Sequence, residues 1–148
     1  RKIMIKEAEI REKFIKGYDC SQVVCSYFAD RFGIDEVTVK KISAGFGGGM
    51  QQGKTCGAYT GALMVLGLAY GHAEDKNLLE QKNVMIQKTV EFRERFLQAL
   101  PSDECKDLIG YDVSKPEELQ AALDSGKLLD YCPSVVEKVI RIVEELLA

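Results

Sequence analysis

GFGGGMQQGKTCGAYTGALMVLGLAYG, residues 45–71, joins a glycine-rich loop to an apolar helix. Residues 45–53 include five glycines, so much of this backbone can adopt positive φ or approach another group closely. Small and apolar residues then recur at helical spacing, which predicts a buried helix. Thr55 is the predicted N-cap of that helix, and Cys56 is expected in its first turn. There the unpaired N–H groups and the helix dipole favour a thiolate over a thiol.

Helical patterns also fill most of the remaining sequence. Charged and apolar residues from Lys2 to Lys16 form an amphipathic pattern, and Asp19 with Gln22 makes a capping-box start for the next helix. Further helices are predicted over about 36–44, 77–100, 102–109, 114–126 and 130–147. The segment 36–44 is rich in β-branched residues, so a strand is the competing prediction there.

Strand-like alternation is nearly absent elsewhere, which predicts an all-α fold. We expect a single domain, residues 1–148, of about six or seven helices, with the glycine loop preceding a central helix of small residues. The long helix at 77–100 is expected to bury one set of apolar side chains, namely Leu78, Val84, Met85, Val90, Phe92, Phe96 and Leu97.

The composition excludes several classes of function. The formal net charge is −3 with both signs interspersed, which gives no electrostatic reason to expect nucleic acid or an anionic membrane as a partner. The longest apolar run, about residues 56–70, is too short and too rich in small residues to be inserted in a membrane. No secretory signal pattern is visible, and the five cysteines therefore indicate reduced thiols in the cytoplasm.

Four of these cysteines fall at predicted helix N-termini: Cys20, Cys56, Cys105 and Cys132. This placement lowers a thiol pKa and directs the sulfur towards backbone donors. Cys25 lies one turn further into its helix and is expected to be a small buried hydrophobe. The sequence therefore predicts that four cysteines, distant in the chain, meet at one site beside the glycine loop.

Several motifs in this chain resemble those of the C_GCAxxG_C_C family. These are CGAYTGA at residues 56–62, the GFGGGM loop before it, and the segments GYDCSQ, ECKDLIGYD and DYCPSVV. Members of that family are small helical proteins described as redox-active. The resemblance extends from Gly17 onward and maps the family's other cysteines onto Cys20, Cys105 and Cys132. It implies a class of chemistry and no particular substrate.

Two kinds of chemistry suit these cysteines. In thiol–disulfide redox, Cys56 is the most activated thiolate, Cys20 is its partner, and Cys105 and Cys132 are a second pair or co-ligands. In the alternative, the same four thiolates hold an iron–sulfur cluster or a zinc ion in an electron-transfer or sensing module. If the protein is an enzyme, it is a thiol-dependent oxidoreductase that acts with a partner redox protein or a small thiol. A homo-oligomer is compatible with either alternative.

A third alternative comes from residues 48–55, GGMQQGKT, which satisfy the phosphate-binding pattern G-x-x-x-x-G-K-[ST]. Lys54 would then reach the phosphates of a nucleotide and Thr55 would hold Mg²⁺. That motif needs a preceding strand and a parallel sheet, which a helical chain does not supply. We therefore favour a loop whose backbone passes close to the sulfurs. The candidate cofactor-binding residues are Gly48, Gly49, Gly53 and Gly57.

Overall fold

The computed structural model describes residues 4–148, and α-helices make up most of that range. In chain order they are α1 (Glu7–Lys16), α2 (Cys20–Phe28), α3 (Glu36–Ser43), α4 (Gly57–Tyr70), α5 (Leu78–Ala99), α6 (Cys105–Ile109), α7 (Pro116–Ser125), α8 (Lys127–Asp130) and α9 (Cys132–Leu147). The predicted all-α class is confirmed, because the described residues contain no strand and only one isolated β-bridge. Their nine helices exceed the six or seven predicted, and the single-turn helix α8 is the one without a counterpart among the predicted segments.

Local capping accounts for the starts of two helices before the glycine loop. The Asp19 N–H donates to Gln22 Oε1 at 3.0 Å, so the capping-box residues predicted from the sequence bracket the first turn of α2. The Thr38 N–H donates to Asp35 Oδ2 at 3.0 Å at the start of α3. This cap explains why a helix forms there despite the β-branched residues that favour a strand.

Two predicted helix starts need comment. α4 begins at Gly57 with Cys56 as its N-cap, so the prediction that Thr55 caps this helix is wrong. Thr55 instead lies in the β-bridge and faces Glu104. The start predicted for the first helix, Lys2, lies outside the described residues.

The core is organised around α4, which packs against both α2 and α9. Small residues on α4 let it lie close to α2: a Cβ atom added at Gly61 would be 3.0 Å from the Ser21 carbonyl oxygen and 3.3 Å from Val24 Cβ. On its other side α9 buries an aliphatic face that includes Val136, Val139, Ile140 and Val143. Helices α2, α4 and α9 thereby hold three of the four candidate cysteines.

The long helix α5 contributes to the core from one side only. Phe92 and Phe96 are fully buried, and each ring centroid lies 5.0 Å from that of Tyr59 on α4. Four of the positions predicted to be buried are exposed instead: Leu78, Val84, Val90 and Leu97. Within the described chain, no helix combines the length and the apolar character needed to cross a membrane.

Candidate functional site

The structure places the four candidate cysteines at helix N-termini and brings them together. Cys20, Cys105 and Cys132 are the first residues of α2, α6 and α9, and Cys56 is the N-cap of α4. All four thiols are free. Cys20 and Cys105 each lie close enough to interact electrostatically with all three of the other sulfurs. Ends of four helices, rather than one contiguous motif, therefore form this site.

Cys20 and Cys56 form the central pair. The pKa of Cys56 is lowered, and the largest cause is a hydrogen bond from the Cys20 thiol. Burial of the Cys56 sulfur raises this pKa, whereas hydrogen bonds from the N–H groups of Ala58 and Tyr59 lower it further. The same hydrogen bond, followed by burial and the charges of Cys56 and Asp19, raises the pKa of Cys20 well above its ordinary value. In this pair the hydrogen bond from the Cys20 thiol favours the thiolate form of Cys56 and the protonated form of Cys20.

Glycine backbone encloses the sulfur of Cys20. The Gly48 N–H donates a hydrogen bond to this sulfur, which lowers its pKa. A Cβ atom added at Gly57 would lie 2.5 Å from Cys20 Sγ and 2.7 Å from the Phe46 carbonyl oxygen. Since real Cβ atoms do not approach other atoms so closely, residue 57 has to be glycine for the sulfur to sit where it does.

The loop itself winds through a left-handed turn. Gly48, Gly49, Met50 and Gln51 all have φ near +60°. Met50 and Gln51 carry side chains, so this conformation costs about 1–2 kcal/mol at each of them. The turn closes where the Lys54 N–H donates to the Gly49 carbonyl oxygen at 3.2 Å. Residues 4–148 contain no strand beside it, so the loop lacks the setting of the phosphate-binding motif that its sequence matches.

The β-bridge holds Cys56 beside the segment that carries Cys105. The Cys56 N–H donates to the Asp103 carbonyl oxygen at 2.7 Å, and the Cys105 N–H donates to the Lys54 carbonyl oxygen at 2.6 Å. These are backbone hydrogen bonds, so the placement of the two segments does not depend on the cysteine side chains. The bridge fixes the end of the glycine loop and the start of α6 together.

The remaining cysteines are neutral thiols, so the expectation that a helix N-terminus lowers the pKa of each clustered cysteine is wrong for Cys105 and Cys132, where burial outweighs it. Burial, followed by the charge of Cys20, raises the pKa of Cys105 to about 11. Burial, followed by the charges of Cys20 and Cys105, raises the pKa of Cys132 to about 12. Cys25 lies apart from these: its thiol donates to the Gly61 carbonyl oxygen at 3.4 Å, and burial raises its pKa to about 11. Cys25 is a buried side chain between α2 and α4.

Residues 18–146 match a protein family described as "Putative redox-active protein (C_GCAxxG_C_C)". The chain belongs to the C_GCAxxG_C_C family. The resemblance stated from the sequence motifs is therefore confirmed, and the matched range contains all four clustered cysteines. Comparison with curated proteins and with solved structures gave no match.

In this member of the C_GCAxxG_C_C family, no group of three or more His, Cys, Asp or Glu side chains within the described range is arranged to hold a metal ion. Sequence reasoning did not find two neighbours of the cluster. Tyr131 interacts with the sulfurs of both Cys132 and Cys56, and Asp103 accepts the Cys56 N–H through its backbone. The only available signal was their position in the sequence, since Tyr131 comes directly before Cys132 and Asp103 comes two residues before Cys105.

Proposed function

We propose that this protein carries out thiol–disulfide redox chemistry in which Cys20 and Cys56 alternate between a dithiol and a disulfide. The hydrogen-bonded thiolate–thiol pair carries the proposal. A cysteine with a lowered pKa supplies the nucleophile, and a second thiol within hydrogen-bond reach supplies the resolving sulfur. Cys105 and Cys132, held as neutral thiols next to Cys20, are a second pair that can take over the oxidation.

The oxidising substrate in this proposal is a disulfide, either of a small molecule or of a partner protein. The Cys56 thiolate attacks one substrate sulfur, a mixed disulfide forms, and the leaving thiolate takes the proton of Cys20. Cys20 then attacks Cys56 Sγ and expels the second substrate thiolate, which takes a proton from water. Two electrons pass from the protein to the substrate, which ends as two thiols, while the protein ends with a Cys20–Cys56 disulfide.

Thiol counting and peptide mapping test this proposal. The reduced protein is incubated with a low-molecular-weight disulfide, and its reactive thiols, intact mass and cross-linked peptides are then determined. We expect the loss of two thiols, a mass lower by two hydrogen atoms, and a peptide that links Cys20 to Cys56. The Cys25→Ala variant serves as the matched control and should give the same result, whereas Cys56→Ala should not form this bond. Unchanged thiols in the wild type would contradict the proposal.

The iron–sulfur or zinc alternative uses the same four residues, Cys20, Cys56, Cys105 and Cys132. The observation in its favour is that the other three sulfurs all interact with that of Cys20. Anaerobic purification followed by iron and zinc assays distinguishes the two proposals. Stoichiometric metal that is lost in Cys132→Ala and kept in Cys25→Ala would favour metal binding. Disulfide formation in metal-free protein favours exchange.

A further inference from the structure

Arg93 on α5 forms an ion pair with Asp103, which lies in the short segment that leads from α5 to Cys105. Arg93 Nη1 donates to Asp103 Oδ2. Between these two residues α5 comes to its end, where the Leu100 N–H donates to the Phe96 carbonyl oxygen at 2.8 Å. The ion pair therefore spans the end of the helix and ties the segment that follows it back to α5.

Asp103 also binds the start of α4. Its carbonyl oxygen accepts the Cys56 N–H at 2.7 Å, while its carboxylate is held by Arg93. Fixing the side chain of Asp103 restricts the backbone of the same residue, so the carbonyl oxygen stays directed at the Cys56 N–H. Arg93 is thereby linked to Cys56 through one intervening residue.

A second contact fixes the direction of the Arg93 guanidinium, because this group also interacts with the side chain of Tyr59 on α4. The Tyr59 ring packs edge-on against the rings of Phe92 and Phe96, with centroids 5.0 Å apart in both pairs, and all three residues are buried. Tyr59 is therefore a fixed neighbour for the guanidinium. Arg93 consequently loses less side-chain entropy on pairing with Asp103 than a freely rotating surface arginine would.

We propose that Arg93 is a positioning residue of the dithiol site and holds Cys56 opposite Cys20 through Asp103. This role rests on the proposed function, in which the Cys56 sulfur attacks the substrate and is then attacked by Cys20. A disulfide forms only within a narrow range of backbone separations and side-chain directions, so a displaced Cys56 backbone slows its formation. Arg93 acts through that backbone alone and takes part in no bond-making step.

Amide hydrogen exchange of the Cys56 N–H in reduced protein tests the link to Arg93. Arg95→Gln is the matched control for Arg93→Gln, because Arg95 lies on the same helix and pairs at 3.3 Å with Glu145, in the last turn of α9. Exposed ion pairs change an equilibrium by up to about fivefold. We therefore expect the Cys56 N–H to exchange about twofold to fivefold faster in Arg93→Gln than in Arg95→Gln. The N–H of Val139, which is buried in α9, reports global unfolding and should exchange alike in both.

A double-variant cycle tests whether Arg93 acts through Asp103. Asp103→Asn removes the carboxylate charge and keeps the carbonyl oxygen that accepts the Cys56 N–H. We expect the two single variants and the double variant to exchange this N–H at similar rates, because each lacks the same ion pair. Formation of the Cys20–Cys56 disulfide should be at least about twofold slower in all three than in Arg95→Gln.

Each outcome decides for or against this role of Arg93. Faster exchange at Cys56, similar in the single and double variants and accompanied by slower disulfide formation, supports it. Exchange at Cys56 that is equal in Arg93→Gln and Arg95→Gln overturns it, as does an increase that is equally large throughout the core. Effects of the two single variants that multiply in the double variant, or an unchanged rate of disulfide formation, also overturn it. A wild type that forms no Cys20–Cys56 disulfide contradicts the proposed function instead, and hydrogen exchange then still decides whether Arg93 holds Cys56.

Discussion

Replacing Gly57 with alanine tests whether a glycine at the start of α4 is what lets the sulfurs of Cys20 and Cys56 meet. The added Cβ would lie 2.5 Å from Cys20 Sγ and 2.7 Å from the Phe46 carbonyl oxygen. The second contact is with backbone, so rotating one side chain does not relieve it. The loop or the contact between α2 and α4 has to move, and overpacking of this kind costs about 1–3 kcal/mol.

The same helix offers a matched control for this substitution. A Cβ atom added at Gly67 would have no neighbour within 4 Å, so alanine there should stabilise the protein by about 0.5–1 kcal/mol through its lower backbone entropy. The free energies of unfolding of Gly57→Ala and Gly67→Ala should therefore differ by about 1.5–4 kcal/mol. For a chain of this length the gap corresponds to roughly 4–15 °C in Tm.

Two measurements on reduced protein complete the comparison. Denaturation followed by circular dichroism gives the difference in stability, and the pH dependence of Cys56 alkylation follows the pKa of its thiol. In Gly57→Ala the hydrogen bond from Cys20 is disturbed, so the pKa of Cys56 should rise and its alkylation should shift to higher pH. Gly67→Ala should alkylate like the wild type. Equal stability of the two variants together with identical alkylation profiles would refute the packing argument.

Three further predictions follow from the described contacts. Cys20→Ala removes the main cause of the lowered pKa of Cys56, so Cys56 alkylation should shift to higher pH, while Cys25→Ala should leave that profile unchanged. Because burial holds the pKa of Cys25 at about 11, the folded chain keeps a proton that the unfolded chain loses near pH 9. The free energy of unfolding should therefore fall as the pH rises from about 9 to about 11, and it should fall less steeply in Cys25→Ala. Urea titrations at several pH values measure this free energy, and an equal decrease with pH in both proteins would contradict the prediction. Gln51→Gly relieves a residue with φ of 59° and should stabilise the protein by about 1 kcal/mol, visible as a higher Tm.

Local sequence signals predicted the helices and the helix-end positions of the cysteines. Asp19 and Asp35 act within one turn of their helices, so their effect can be inferred from neighbouring residues. The exposed face of α5 could not be inferred in this way, because an apolar residue such as Val90 carries the same periodic signal whether it faces the core or solvent. Only tertiary packing shows which of the two apolar faces the core uses.

The start of α4 was beyond local reasoning for a different reason. Thr55 is the better N-cap by residue type, yet it lies opposite Glu104, 49 positions further along the chain, in a β-bridge whose hydrogen bonds are made by its neighbours Lys54 and Cys56. A contact between such distant segments leaves no trace in the residues around Thr55. The helix therefore starts one residue later than predicted, at Gly57, and the N-cap position passes to Cys56.

This shift of the helix start adds to the lowering of the pKa of Cys56, whose largest cause is the hydrogen bond from Cys20. A side chain at the N-cap faces the N–H groups two and three residues ahead, and for Cys56 these are the N–H groups of Ala58 and Tyr59, both of which lower its pKa. Cys20 occupies the first position inside α2, where its sulfur gains only the Gly48 N–H and lies near the carboxylate of Asp19. These contacts therefore favour the thiolate at Cys56 over the thiolate at Cys20, although a similar capping signal precedes both cysteines in the sequence. In the proposed reaction the β-bridge therefore supports the role of Cys56 as nucleophile, because it accompanies the helix start that sets the Cys56 sulfur opposite the N–H groups of Ala58 and Tyr59.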